Sequence, residues 1–154
     1  MGRVLVTVMA GVSLSEKHCE VREKRPQGVL RMHILSGAKL DSWGKGTLQS
    51  FCEVSLGSQV QRTSIATSPH PKWDSTMQFL VKSLSEDVLC ITVYEKGYFK
   101  PNEFLGRTEI KIHQVHEESR HQPGAQPQVY KLALQEAKTG EVILKISLQL
   151  FDQS

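Results

Sequence analysis

The chain has 154 residues, 39% of them hydrophobic and 23% charged. That is enough to bury one sizeable core, and it excludes both a disordered chain and a membrane bundle. The net charge of +3 (19 Lys and Arg against 16 Asp and Glu) is too mild for a nucleic-acid-binding face, so nucleic acid is not an expected partner. The two halves differ. Residues 1–77 hold 10 basic and 6 acidic side chains (+4), and residues 78–154 hold 9 and 10 (−1), so an anionic partner should meet the first half.

The chain opens on Met1-Gly2-Arg3 and an apolar run, Val4–Val12. The run is signal-like in composition, but Val4, Val6 and Val8 alternate with Leu5 and Thr7 as in a strand. Position 6 holds Val where an N-myristoylation motif needs Ser or Thr. Segment 2–14 recurs at an offset of 26 as segment 28–40, with Gly, alternating apolar residues, Gly and Leu in the same places. Between the copies, Glu16–Gln27 is dense in charge, ends near Pro26 and reads as a solvated linker. Residues 1–27 are therefore expected to form an N-terminal extension, and residues 28–154 the folded domain.

From residue 28 onward the pattern is strand, turn, strand. The expected strands are 28–35, 50–56, 59–65, 76–82, 87–94, 105–112, 129–134 and 141–151. In the last, Val142, Leu144, Ile146, Leu148 and Leu150 face one way, while Lys145, Ser147 and Gln149 face the other. Turn signals separate the strands at Gly57-Ser58, Pro69-His70-Pro71, Lys96-Gly97 and Lys138-Thr139-Gly140. Eight short strands with no long helical period make the fold class all-β, an antiparallel sandwich or barrel. Gln114–Gln128, with Pro123, Gly124 and Pro127, reads as a loop with room for one helical turn at 114–119. The three cysteines are odd in number and include no CxxC, which argues against a disulfide framework. Cys52 and Cys90 are read as small buried hydrophobes.

Enzyme-like strings are isolated. Ser42-x-x-Lys45 and Lys138-Thr139-Gly140 lack the third element of the penicillin-binding signature, and no GxSxG elbow or phosphate loop is present. His113, His116 and His121 lie among charged residues in the loop and are read as a solvated face. No nucleophile, base and orienting group stand at usable spacing, so a non-enzymatic chain is expected.

Three polar loops are more informative: Leu40-Asp41-Ser42-Trp43-Gly44-Lys45, Ser68-Pro69-His70-Pro71-Lys72-Trp73-Asp74, and the stretch from Val93 to Gly106. With them the sequence resembles a C2 domain over residues 28–151. That family shows an Asp-bearing first loop, an Asn-Pro-x-Trp turn, and a third loop of the form V-x-D-x-D-x-x-x-x-N-D-x-I/L-G. The strings Cys52–Gln59, Val88–Val93, Phe104–Ile110 and Thr139–Val142 are similar to the C-terminal C2 domain of intersectins. The resemblance implies a C2-type sandwich, a cytoplasmic location peripheral to plasma or endocytic membranes, and a role in endocytic scaffolding. It also implies an alternative: packing on, or regulating, an exchange factor for a Rho-type GTPase.

The departures from the family bear on calcium. Calcium-binding members use about five Asp carboxylates, because Ca²⁺ takes six to eight hard oxygen ligands. Asp41 matches the first. Gln49 stands near the second, and the third-loop positions hold Glu95, Gly97 and Glu103. Asp41, Glu95 and Glu103 are thus degenerate metal positions, expected to hold calcium weakly or not at all, and no other cofactor is implied. The loops also offer membrane contacts: Trp43, Lys45, Lys72, Lys96, Tyr98, Phe99 and Lys100, with Trp73 read as a core anchor. Four cations at ~1 kcal/mol each near an anionic phospholipid leaflet give only about millimolar affinity, so avidity from linked modules would be needed.

Spacing decides between the two strand copies. Gly37 lies 15 residues before Cys52, a fit to the long first loop of such domains, whereas Gly11 lies 41 before it. Segment 28–40 is therefore expected in the first-strand position. The spare copy is expected to dock on a sheet edge, since an unpaired strand exposing Val4, Val6 and Val8 invites aggregation.

Overall fold

The structure is a computed structural model that describes residues 25–41, 47–121 and 126–151. The spare strand copy at 2–14 lies outside the described residues. Among the described residues nine strands pack as two antiparallel sheets: β1 (Gly28–Ala38), β2 (Gln49–Leu56), β3 (Gln59–Arg62), β4 (Ala66–Thr67), β5 (Ser75–Val81), β6 (Val88–Glu95), β7 (Glu103–Lys111), β8 (Gln128–Ala133) and β9 (Glu141–Leu150). The first sheet runs β5-β1-β9-β8. The second runs β3-β2-β6-β7, with β4 also paired to β2. The strand expected over 59–65 ends at Arg62, where Thr63 turns inward and its Oγ1 accepts the Cys52 N–H at 2.9 Å; the two-residue β4 follows beyond the expected range.

β1 is the central strand of the first sheet, paired to β5 on one side and β9 on the other. Its Leu30, Met32 and Ile34 enter the core against Met77, Phe79 and Val81 of β5 and Val142, Leu144 and Ile146 of β9. The second sheet answers with Cys52, Val54 and Leu56 of β2 and Leu89, Ile91 and Val93 of β6. Cys52 is buried as expected, but Cys90 is only half-buried: it points outward, out of phase with Leu89 and Ile91. The inward phase of β9 fades toward its end, where Leu148 is half-buried and Leu150 is exposed.

Two bulges re-aim side chains. In β1 the register shifts between Ile34 and Ser36, so both Ile34 and Gly37 face inward across an odd spacing. In β7 the shift falls opposite Val93 and Tyr94, which turns Leu105 into the core and leaves Phe104 outside beside Tyr94. The segment read as loop with one helical turn begins with a two-turn helix, α1 (Ile112–Ser119), seated by Ile112 and Val115. Tyr130 Oη of β8 donates to Glu118 Oε1 at 2.5 Å and ties this helix to the first sheet.

Side chains close the seam between the sheets at β5. Gln59 Nε2 donates to Leu80 O at 2.8 Å, Leu80 N–H donates to Gln59 Oε1 at 2.8 Å, and Gln61 Nε2 donates to Gln78 O at 2.6 Å. Two glutamines of β3 thus occupy backbone groups on the outer edge of β5 that would otherwise offer a template for another strand. Across the molecule, Arg107 and Gln135 exchange two backbone hydrogen bonds.

Candidate functional site

Three connections meet at one end of the sandwich: the first loop after β1, the second between β4 and β5, and the third between β6 and β7. They are laced together by backbone. Leu40 N–H donates to Pro69 O at 3.0 Å, Gly37 N–H to Pro71 O at 2.9 Å, and Ser68 N–H to Leu48 O at 2.8 Å. Trp73 is the rivet. It is 2% exposed, its Nε1–H donates to Ser50 O at 3.2 Å, and its ring lies where a Cβ on Gly37 would come within 2.7 Å. Only glycine leaves room for that ring. Trp73 is the core anchor expected from the sequence.

The third loop is a closed ring with its side chains turned outward. Gly97 N–H donates to Asn102 Oδ1 at 3.0 Å, and a Cβ on Gly97 would stand 2.3 Å from Lys100 O and 2.6 Å from Pro101 O. Lys96 N–H donates to Gln49 O at 2.8 Å, and Tyr98 Oη donates to Gln49 Oε1. Gln49, read from the sequence only as a lost carboxylate, is the hub joining β2 to the third loop. Its partner Tyr98 lies 49 residues away, so no local pattern pointed to this role.

Above this ring Phe99 is fully exposed and Tyr98 is 65% exposed, with Lys100 exposed beside them and Lys72 exposed on the second loop. A cleft of about 520 Å³ is lined by Thr47, Gln49, Glu95, Lys96, Tyr98, Phe99 and Lys100. The structure therefore gathers Lys96, Tyr98, Phe99 and Lys100 on one loop. Trp43 and Lys45 lie outside the described residues.

Glu95 is buried at an inward position of β6, whereas its register partner Glu103 is exposed. Among the described residues no three His, Cys, Asp or Glu side chains stand close enough to hold a metal ion. Asp41, Glu95 and Glu103 are therefore not assembled into the residual cage that the sequence suggested. The backbone around Gly97 leaves no space for a side-chain ligand at that position. His113, His116 and His121 likewise form no such group.

A second feature was missed. Phe51, Tyr94 and Phe104 are register partners on neighbouring strands and form an aromatic row on the outer face of the second sheet. Phe51 and Tyr94 stack with ring centroids 5.6 Å apart, and the Arg62 guanidinium lies 5.6 Å over the Phe51 ring. Phe51 is out of phase with Cys52 and Val54, and that phase was the signal that it faces outward.

A two-sheet sandwich with three laced loops at one end defines the class of C2-like domains, and a family profile described as the C2 domain matches residues 28–130. The chain belongs to the C2 family. Among curated relatives, intersectin-1 of Xenopus laevis is 39% identical over 142 residues, and intersectin-2 of Mus musculus is 36% identical over the same length. Each alignment covers 90% of this chain but 8% of the relative, so the chain spans only a small part of those proteins. Among solved structures, a C2 domain of plant Extended Synaptotagmin 1 matches with a TM-score of 0.72 at 16% identity, covering 84% of this chain and 100% of that one. Human GIVD cytosolic phospholipase A2 matches at 0.66 and 15% identity, covering 86% of this chain and 16% of that one. These two show the fold alone. Among the described residues no helix is long and apolar enough to cross a membrane.

Proposed function

We propose that the domain is a non-enzymatic, calcium-independent C2 module that docks weakly and peripherally on anionic phospholipid at plasma or endocytic membranes, through its third loop. The observation that supports this most directly is the outward pair Tyr98 and Phe99 between Lys96 and Lys100, on a loop whose backbone is closed underneath. Aromatic rings favour the headgroup region, and lysines beside them gain from an anionic leaflet. Calcium independence is supported by the burial of Glu95 and by the backbone that closes around Gly97. The relatives named intersectin support a place in membrane-traffic scaffolding, where linked modules would raise the effective affinity.

The test is sedimentation with vesicles of neutral phosphatidylcholine and vesicles also containing phosphatidylserine, each with EDTA or with millimolar Ca²⁺. Retention on the anionic vesicles alone, unchanged by calcium, is expected, and it should fall as salt rises. Retention that requires calcium overturns the reading. A second reading, docking on a protein such as a Rho-type exchange factor without lipid, is favoured by the aromatic row, where Phe104 is 43% exposed. Equal sedimentation with and without vesicles, together with loss of a protein partner on Phe104→Ser, would transfer the assignment to that face.

A further inference from the structure

The outer face of the first sheet carries a groove of about 450 Å³, on the side of the sandwich away from the second sheet. Two successive outward rungs of the β5-β1-β9 ladder build it. One rung reads Gln78–Arg31–Ser147, and the next reads Thr76–His33–Lys145. Each of these six side chains can donate a hydrogen bond. No lining residue is acidic. Arg31 and Lys145 are exposed and sit diagonally on adjacent strands, within reach of one small anion. Among the described residues neither pairs with a carboxylate: Arg31 Nη1 donates to Gln149 Oε1 at 2.8 Å, which holds the guanidinium over β9. Beside the groove, the Asp74 carboxylate meets His33 Nε2. Gln61 on one side and Pro127 on the other bound the groove.

We propose that this groove binds a phosphate monoester carried on an extended peptide. The donor set matches the ligand: a tetrahedral dianion offers three strong acceptor oxygens, where a carboxylate offers two. Guanidinium, ammonium, amide and hydroxyl donors surround that geometry, with the His33 imidazole held beside them by Asp74. The flanks select a peptide over a lipid headgroup. Leu80, the next outward residue of β5, is exposed, and Val129, the rung partner of Lys145 on β8, is 63% exposed. These apolar shoulders have partners in the side chains beside a phosphoresidue and none in a headgroup. The face also belongs to the sheet that does not carry the third loop. His33 and Thr76 adjoin Asp74 of the second loop, but the third loop with Tyr98 and Phe99 connects β6 and β7 of the other sheet. Membrane docking and phosphopeptide binding can therefore occur together, and this inference does not rest on the lipid reading.

The experiment is amide chemical-shift titration of the full chain with three probes: a heptapeptide bearing a central phosphoserine flanked by leucines, its unphosphorylated counterpart, and soluble inositol trisphosphate. The phosphopeptide is expected to shift Arg31, His33, Thr76 and Lys145 and to bind at least about tenfold more tightly than the unphosphorylated peptide. R31Q/K145Q, which changes only exposed positions, should lose about tenfold or more and keep the parent melting temperature. K111Q/K138Q removes the same charge from elsewhere on the surface and should stay within about twofold. Equal losses in the two double variants would reduce the effect to net charge and overturn the proposal. So would equal binding of the unphosphorylated peptide, tighter binding of inositol trisphosphate, or the absence of shifts on this face.

Discussion

The second and third loops contain the same ingredients in opposite arrangements. Pro71-Lys72-Trp73 and Tyr98-Phe99-Lys100-Pro101 each combine proline, lysine and large aromatic rings at the same end of the sandwich. In the second loop the ring goes in: Gly37 leaves space beneath it and Ser50 O accepts its N–H. In the third loop the backbone closes on itself through Gly97, and the rings have nowhere to go but out. The local composition does not decide which happens. What decides is whether the facing strand offers a vacancy. One loop becomes a platform and the other a probe mounted on it.

The sharpest way to break this comparison is to remove the rivet. Trp73→Ala should cost about 3–5 kcal/mol, as loss of a fully buried large aromatic does, and should lower the melting temperature by roughly 10 °C for a domain of this size. Calorimetry showing less than about 1 kcal/mol would mean that the second loop is not the platform.

Forcing a side chain into the closed ring is the next largest perturbation. Gly97→Asp restores the residue type that the family pattern has there, but its Cβ would collide with Lys100 O and Pro101 O. A loss of about 1–3 kcal/mol is expected, as for other overpacked sites. Isothermal calorimetry should show no gain in calcium affinity. A micromolar calcium site in this variant would show that the third loop re-forms freely and that the carboxylates at 41, 95 and 103 can converge.

The probe itself should be separable from stability. Tyr98→Ala with Phe99→Ala is expected to lower the melting temperature by only a few degrees, because Phe99 is fully exposed and the Tyr98–Gln49 hydrogen bond lies at the surface, worth about 1 kcal/mol. Retention on anionic vesicles should fall several-fold. Lys96→Gln with Lys100→Gln should lower retention less at high salt than at low salt, because exposed charges are screened within ~8–10 Å. Unchanged retention in both pairs would move the function to the aromatic row of the second sheet.

How much of this was legible in the sequence follows from how local each determinant is. Alternation placed the core faces of β1, β5, β6 and β9, because burial of one face leaves a period of two. Trp73 was readable as an anchor from its Pro-x-Trp turn. The bulge at Leu105 was not, since one extra residue in β7 shows only against the register of β6. Gln59 and Gln61 read as ordinary polar strand residues, yet they cap the edge of β5, a partner some 20 residues away. The third-loop contacts were visible as residue types, while the hub at Gln49 needed the fold to bring it beside Tyr98.

The two strand copies add a smaller test of the platform. β1 fills the central position with residues 28–38, and Gln27 before it is already engaged: its N–H donates to Val81 O at 2.7 Å, and its Oε1 accepts the Leu84 N–H at 2.7 Å. Cutting the chain before Arg25 keeps those bonds. The shortened protein is expected to fold, to lose only a few degrees of melting temperature, and to retain vesicle binding. Failure to fold would show that segment 2–14 contributes to the core.

The smallest effect should appear at high pH, and it concerns a connection remote from both loops. Burial, and then the hydrogen bond and negative charge of Glu118, push the Tyr130 phenol well above its ordinary range. The folded chain therefore holds this proton more tightly than the unfolded chain does. The stabilisation is complete below the ordinary tyrosine pKa of ~10 and is lost as pH climbs past it, when the unfolded state ionises first. Melting temperature should accordingly fall between about pH 10 and 11, and the fall should be shallower in Tyr130→Phe, which has no proton to release. Cys52, raised by burial, acts with the same sign in both proteins, so the difference between the two curves isolates Tyr130. Parallel curves would mean that the phenol does not tie α1 to β8, and that the crossover after β7 is seated by Ile112 and Val115 alone.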